Sequence, residues 1–331
     1  MSDLKTKYLG LELKNPLLVG SSGLTGSADS ILKLVDYGVG GIVLKSLFEE
    51  EIIREHEKNM KEKVEHLESN LEFLDYFDYQ LKEDNFRRQR KLIDEIKSQT
   101  DVPLIASINC YSVGEWFSYA KLLQDAGADA LELNLYRIPS KINIEAADIL
   151  NGYYEIVRRV KEHVSIPVSV KISPYFTDLG NVVSRFDMLG VDGVVMFNRY
   201  YSPDFDLEND RIISGPVYSS QADYANVLRW IAMLKEQVTC DLCASGGVHS
   251  GDTMFKMLLA GADSVQVVSA LYKNGAAYVR DLLSGVQSWM EKKRLDTIED
   301  VHRMGRSMIP NHAEVFERVQ FMKYFGEHGK G

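Results

Sequence analysis

Three cysteines in 331 residues are too few and too oddly numbered for a disulfide framework, which points to a reducing compartment. No apolar run approaches the ~20 residues of a membrane helix, and the opening Met-Ser-Asp-Leu-Lys-Thr-Lys lacks the apolar centre of a secretion signal. Basic residues are outnumbered. With 38 Lys and Arg against 48 Asp and Glu, the net charge of -10 has the wrong sign for a chain that grips phosphate backbones. These absences exclude a disulfide scaffold, a membrane span and a nucleic-acid partner. The expectation is a cytoplasmic protein that acts on a small molecule.

What is present is a recurring junction, in which a helix ends in Gly and a small or acidic residue leads into a β-branched strand. It reads Tyr37-Gly-Val-Gly-Gly-Ile-Val, Ala126-Gly-Ala-Asp-Ala-Leu-Glu, Leu189-Gly-Val-Asp-Gly-Val-Val and Ala260-Gly-Ala-Asp-Ser-Val-Gln. Gly38, Gly127, Gly190 and Gly261 take the left-handed position that stops a helix. They are 89, 63 and 71 residues apart, and each gap holds two βα units of roughly 30 residues, the first with an insertion. The junctions then precede strands two, four, six and eight. Leu17 to Val19, Pro103 to Ile108, Pro167 to Ile172 and Cys240 to Ser245 supply strands one, three, five and seven. The predicted fold is α/β, a (β/α)8 TIM barrel with an N-terminal β-hairpin at Tyr8 to Leu13, one domain over residues 1–331 with its barrel core at about 17–293. Helices are predicted at Ser27 to Tyr37, Asn85 to Ser98, Gly114 to Asp125, Ile144 to His163, Asn181 to Leu189, Tyr224 to Glu236, Met254 to Leu259 and Ala276 to Lys293, with a further one at Thr297 to Met304. Two connections, Leu47 to Asp84 and Arg199 to Val217, exceed the ~2 to 6 residues of ordinary βα loops and are aromatic. A substrate lid or wall and an oligomer contact both fit them.

Leu242 to Leu271 carries the clearest chemical signal. Strand seven runs into Gly246-Gly247, whose amides no Cβ shields, and Ser250-Gly251-Asp252 opens a helix. Strand eight ends at Ser269 and a small-residue turn with Ala270. Two such strand ends side by side suit a phosphate. The other strand ends offer Ser21, Ser22, Gly23, Lys45, Ser46, Asn109, Asn134, Lys171, Ser173, Asn198, Arg199 and Ser245. The set lacks the carboxylate pair of a glycosidase and the His and Asp cluster of a metal hydrolase, so no metal is expected. It suits a planar, amide-rich ring with a phosphate tail, since Asn offers a donor and an acceptor in one plane and Lys can neutralise a reduced ring. Lys171 could instead form an imine, as in barrel aldolases acting on phosphorylated substrates. Cys240-Asp-Leu-Cys243 has CxxC spacing but sits inside a strand without a second pair, which reads as core. His249 follows the glycine pair and could touch a phosphate, but a solvated loop is where it is expected.

The chain resembles the dihydroorotate dehydrogenase family of FMN barrels. The resemblance rests on Asn15-Pro16 with Ser22-Gly23, Leu44-Lys45-Ser46, Glu132-Leu-Asn134-Leu, Val170-Lys171-Ile-Ser-Pro174, Asn198, Ser214-Gly215-Pro216, Ser245-Gly-Gly-Val and Gly261-Ala-Asp-Ser-Val-Gln-Val, spread in order over nearly the whole barrel. It implies an FMN phosphate on Gly246, Gly247 and the Ser269–Ala270 turn, and Lys171 at the ring's pyrimidine end. Lys45, Ser46, Asn134 and Gly215 would line the flavin, and Asn134 and Asn198 would face the substrate. It further implies hydride transfer from a small cyclic substrate, dihydroorotate or a related compound, a role in pyrimidine biosynthesis, and a homodimer of the soluble class. The family's basic Cys or Ser, however, is matched by Arg137 in Tyr136-Arg-Ile-Pro139, and an arginine cannot take up a proton at neutral pH. Arg137 could bind an anionic substrate, with Ser140 or Tyr136 as displaced bases. The family's orotate-gripping segment has no clear counterpart in Val64 to Asn70. A diverged member with its own substrate and a flavin-binding paralogue without turnover are both expected readings.

Overall fold

Short apolar runs between helix-stopping glycines form the strands of this computed structural model, which describes residues 2–48, 87–109, 116–135, 140, 142–200 and 202–308. A hairpin of β1 (Thr6–Tyr8) and β2 (Leu11–Leu13) comes first. There follow β3 (Leu17–Val19), α1 (Ala28–Asp36), β4 (Gly41–Val43), the two-residue β5 (Leu47–Phe48), α2 (87–97), β6 (Leu104–Asn109), α3 (Trp116–Asp125) and β7 (Ala130–Asn134). The chain continues through α4 (Ala146–His163), β8 (Val168–Ile172), α5 (Leu179–Met188), β9 (Gly193–Met196), β10 (Pro203–Asp206), β11 (Arg211–Ser214), α6 (Tyr224–Leu234) and β12 (Asp241–Ser245). It ends with α7 (Gly251–Leu259), β13 (Ser264–Val267), α8 (Ser269–Asn274), α9 (Tyr278–Lys293) and α10 (Ile298–Met308).

The order β4-β3-β13-β12-β9-β8-β7-β6 is parallel throughout, and pairing of β4 with β6 closes it into an eight-stranded (β/α)8 barrel. No helix among the described residues is long and apolar enough to cross a membrane. All four junction glycines have positive φ, 99° at Gly38, 95° at Gly127, 77° at Gly190 and 104° at Gly261. Two expectations about the loops change. The segment after β9 contains an antiparallel hairpin, β10 with β11, in which Phe205 faces Ile212. The turn expected at Ser269 and Ala270 is the start of α8. The rest of the expected lid after β4, beyond Phe48, lies outside the described residues.

The junctions carry a second device. Asp129, Asp192 and Asp263 accept the amides of Leu104, Val168 and Leu242 near the starts of β6, β8 and β12. Each also accepts a lysine from the end of the helix before that strand, Lys97 at 2.6 Å, Lys161 at 2.7 Å and Lys235 at 2.7 Å. In the first junction Gly40 stands at the Asp position, because a Cβ there would lie 2.0 Å from the Asn15 carbonyl oxygen. Asn15 does the work instead, accepting from Leu17 N–H at 3.1 Å and donating to the Gly38 carbonyl at 2.7 Å.

Side chains alternate along each strand. Leu131, Leu133, Val168, Val170 and Val194 face the helices, while Val43, Ile105, Ala130, Val195 and Cys243 face inward on Tyr8, Leu9 and Leu13 of the N-terminal hairpin, which stops the barrel floor. Both described cysteines, Cys240 and Cys243, are buried and unpaired, and burial pushes each thiol up to about 12, as a core role requires. The hairpin is tied down where Leu9 N–H donates to Asp241 Oδ2 at 2.6 Å. Burial first, then the Asp263 carboxylate, pushes Asp241 up to about 6 from 3.8. An acid raised in the folded state favours folding while it is protonated and loses that contribution as pH rises from about 4 through 6. Asp241→Asn keeps an acceptor for Leu9 and removes the charge. It should therefore exceed the parent in stability by about 2 kcal/mol at pH 7, with the gap closing toward pH 4, in paired urea titrations. A variant less stable than the parent at pH 7 would refute this account of the floor.

Candidate functional site

The alternation that fills the floor with apolar groups delivers polar ones to the opposite end. There the strand ends enclose a cavity of about 530 Å³, within the ~300 to 1,000 Å³ usual for small-ligand sites. Every barrel strand contributes to its wall: Ser21 follows β3, Ser46 β4, Asn198 β9 and Ser269 β13, Asn109, Asn134 and Ser245 end β6, β7 and β12, and Lys171 lies in β8.

Three buried side chains form the inner end. Lys171 Nζ donates to Gln266 Oε1 at 2.7 Å, Gln266 Nε2 donates to Glu132 Oε2 at 2.5 Å, and Lys171 Nζ stands 3.7 Å from Glu132 Oε1. Beside them Asn134 Nδ2 donates to Ser46 Oγ at 2.8 Å and Ser107 Oγ at 3.1 Å, and Ser21 Oγ lies 3.0 Å from Ser46 Oγ. The donor side of Asn134 is thus committed. Its Oδ1 is buried and has no partner among the described residues, so it can accept from a ligand N–H. Asn198 Nδ2 donates to the Lys171 carbonyl at 3.2 Å.

At the other end, β12 and β13 run into Gly246-Gly247-Val248 and Ser269-Ala270. Among the described residues none accepts from these five amides. Gly247 has φ of 73°, and a Cβ on it would lie 2.1 Å from Tyr224 N, so only glycine fits there. Ser219 sits against this end: its N–H donates to Ser269 Oγ at 3.0 Å, its carbonyl accepts from Lys273 Nζ at 2.8 Å, and its Oγ lies 2.9 Å from His249 Nε2. His249 is therefore buried, not solvated as expected, and burial ahead of the neighbouring Lys273 charge lowers its pKa. A neutral ring with one nitrogen facing a hydroxyl suits that position.

The rim is a fixed segment. Arg199 donates to the carbonyls of Pro216, Val217 and Tyr218 and to Asp223 Oδ2, all within 3.1 Å. The Tyr218 and Tyr272 rings lie 5.4 Å apart beside the opening.

Of the residues singled out from sequence, Ser46, Asn109, Asn134, Lys171, Asn198, Ser245, Gly246, Gly247 and Ser269 line the cavity together. Lys45 is exposed and outside the lining. Gly215 stands between two lining residues, Ser214 and Pro216, and its amide donates to the Ser202 carbonyl. Ser22 accepts from Leu24 N–H and caps a short turn, Gly23 lies beneath the Tyr272 hydroxyl, and Ala270 is fully buried. Arg137, with Tyr136 and Pro139, lies outside the described residues, as does Val64 to Asn70; Ser140 is exposed. Sequence reasoning missed Glu132 and Gln266 as site residues, although a carboxylate and an amide at the centres of apolar strands, on the same face as Asn134 in the case of Glu132, were signal enough. It also missed the partnership of Ser219 with His249, for which no local spacing exists.

Residues 3–290 match the family described as dihydroorotate dehydrogenase. The dihydroorotate dehydrogenase B (NAD(+)) catalytic subunit of Thermoplasma acidophilum is 24% identical over 305 residues, spanning 91% of this chain and 98% of that one. The NAD-dependent dihydropyrimidine dehydrogenase subunit PreA of Escherichia coli K12 is 27% identical over 342 residues, spanning 93% of this chain and 78% of that one. The crystal structure of DHODH in complex with ferulenol from Eimeria tenella aligns with a TM-score of 0.65 over 90% of this chain and 87% of that one at 14% identity, a likeness of fold. A match that runs through all eight strands, rather than through one glycine-rich turn, settles the kinship: the chain belongs to the dihydroorotate dehydrogenase family.

Proposed function

We propose that the chain is an FMN-dependent oxidoreductase that removes hydride from a carbon–carbon bond of a small, reduced, pyrimidine-like ring. The observation that carries this reading is one cavity lined at one end by Gly246, Gly247, Val248 and Ser269, whose amides have no acceptor among the described residues, and at the other by Asn134, whose Oδ1 has no partner among them, beside the Lys171 ammonium. The first suits a phosphate, and the second suits an N–H and a carbonyl of a planar ring. FMN bound there would supply a two-electron acceptor. Gly246, Gly247, Val248 and Ser269 would hold its phosphate, and Asn134 and Lys171 its ring, with Asn198 toward the substrate.

Two relatives carry names for dihydroorotate and dihydropyrimidine dehydrogenases, and a dihydropyrimidine is the class common to both. Among the described lining residues there are hydroxyls and amides but no carboxylate or imidazole to act as base. With Arg137 at the family's base position, this favours a diverged substrate, and an arginine there suits an anionic group on it. The imine reading of Lys171 loses ground, because an amide oxygen and a carboxylate are the partners of an ammonium rather than of a free amine.

Purified protein should be yellow and release FMN on denaturation, and anaerobic dihydroorotate or dihydrouracil should bleach it. Colourless protein that takes up no added FMN would overturn the reading, and bound flavin that no dihydropyrimidine bleaches would overturn the substrate class. Lys171→Met should slow that bleaching by roughly 10²-fold or more, and because it leaves the buried Glu132 carboxylate without its cation it should also lower stability, so the rates are compared on protein shown by thermal melting to be folded. Asn134→Ala strips donors from Ser46 and Ser107. It should lower FMN affinity by about tenfold or more and stability by about 1 to 3 kcal/mol, read by fluorescence titration and urea denaturation.

A further inference from the structure

The ionic group under the cavity is more elaborate than a lysine held near a flavin requires. Glu132 is fully buried, its Oε1 makes no hydrogen bond among the described residues, and Lys171 is 8% exposed. A buried carboxylate and ammonium are costly to desolvate, and well-packed apolar residues in their place are often neutral or stabilising. Stability alone gives no reason for them.

Gln266 explains the arrangement. Its Oε1 faces Lys171 and its Nε2 faces Glu132, the one orientation of the amide that opposes neither charge. The amide is wedged between the two ions and keeps Lys171 Nζ 3.7 Å from Glu132 Oε1, so the ammonium is neither collapsed onto the carboxylate nor released from it. Room for the wedge comes from strand one. A Cβ on Gly20 would lie 3.1 Å from Gln266 Oε1 and 2.9 Å from Val268 Cγ2. Strands β7, β8 and β13 and the end of β3 all contribute to placing one charge.

We propose that Glu132, acting through Gln266, is a positioning residue that sets how much of the Lys171 charge reaches a ring bound in the cavity, and thereby how strongly the protein prefers reduced over oxidised FMN. This rests on the reading of the cavity as an FMN site. A reduced flavin carries negative charge that an ammonium stabilises, and a carboxylate behind the ammonium subtracts from that effect. The wedge sets the balance by distance.

The test is the ratio of the affinities for reduced and oxidised FMN, read as the midpoint potential of the loaded protein beside free FMN. Glu132→Gln retains an oxygen for Gln266 Nε2 and removes the charge; the ratio should rise by about tenfold or more, an upward shift of about 30 mV for a two-electron couple. Gln266→Met keeps both charges and removes the wedge. Lys171 can then close on Glu132, and the ratio should fall. Thermal melting checks that each variant is folded, and if Glu132→Gln is not, Gln266→Met decides alone. A merely structural role would change both affinities together and leave the ratio where it was, which would overturn the proposal while leaving the FMN reading intact. A parent protein that binds no FMN would overturn both.

Discussion

A closed ring of parallel strands has one inside, and the two-residue alternation of side chains decides what fills it. Here the inward positions change character from one end to the other. Tyr8, Leu9, Ile105, Val195 and Cys243 make a dry floor; Glu132, Lys171 and Gln266 make an ionic middle; Asn134, Ser46 and Ser107 make a hydrogen-bonded mouth. Each layer depends on the one beneath it. The middle layer is tolerable because the floor excludes water from below and every one of its charges has an oppositely charged or amide neighbour.

The strands hold their register because their starts are pinned. Three aspartates at even junctions bind the amide that opens the preceding odd strand and the lysine that closes the helix before it, and Asn15 takes that role where Gly40 leaves no space. The barrel is thus assembled from pairs of βα units rather than from single ones. A shift of one residue at any pin would exchange the inner and outer faces of that strand, moving Asn109, Lys171 or Ser245 out of the cavity.

Much of this was legible in the sequence, because glycine, alternation and spacing are local. The four junction glycines located the even strands, and the four odd strands lie within a residue of their expected bounds. The hairpin β10–β11 was not legible: Pro203 to Ser214 is polar and exposed, and its pairing rests on a turn rather than an apolar pattern. Of the site, residues at strand ends were found because the fold dictates where they point. Glu132 and Gln266 escaped because they lie one step deeper, and His249 because its partner is thirty positions away and its burial depends on a loop from another unit.

That loop divides into two parts with different freedom. Residues 216–219 are moored on one side by Arg199 and on the other by Ser269, Lys273 and His249, whereas the hairpin preceding them satisfies its own backbone and leaves Phe205, Leu207 and Ile212 in solvent. Insertions or replacements in the hairpin can therefore accumulate across descendants of this chain without displacing the wall behind it. Divergence in what such proteins admit has a place to occur that leaves the anion cradle and the ionic layer untouched.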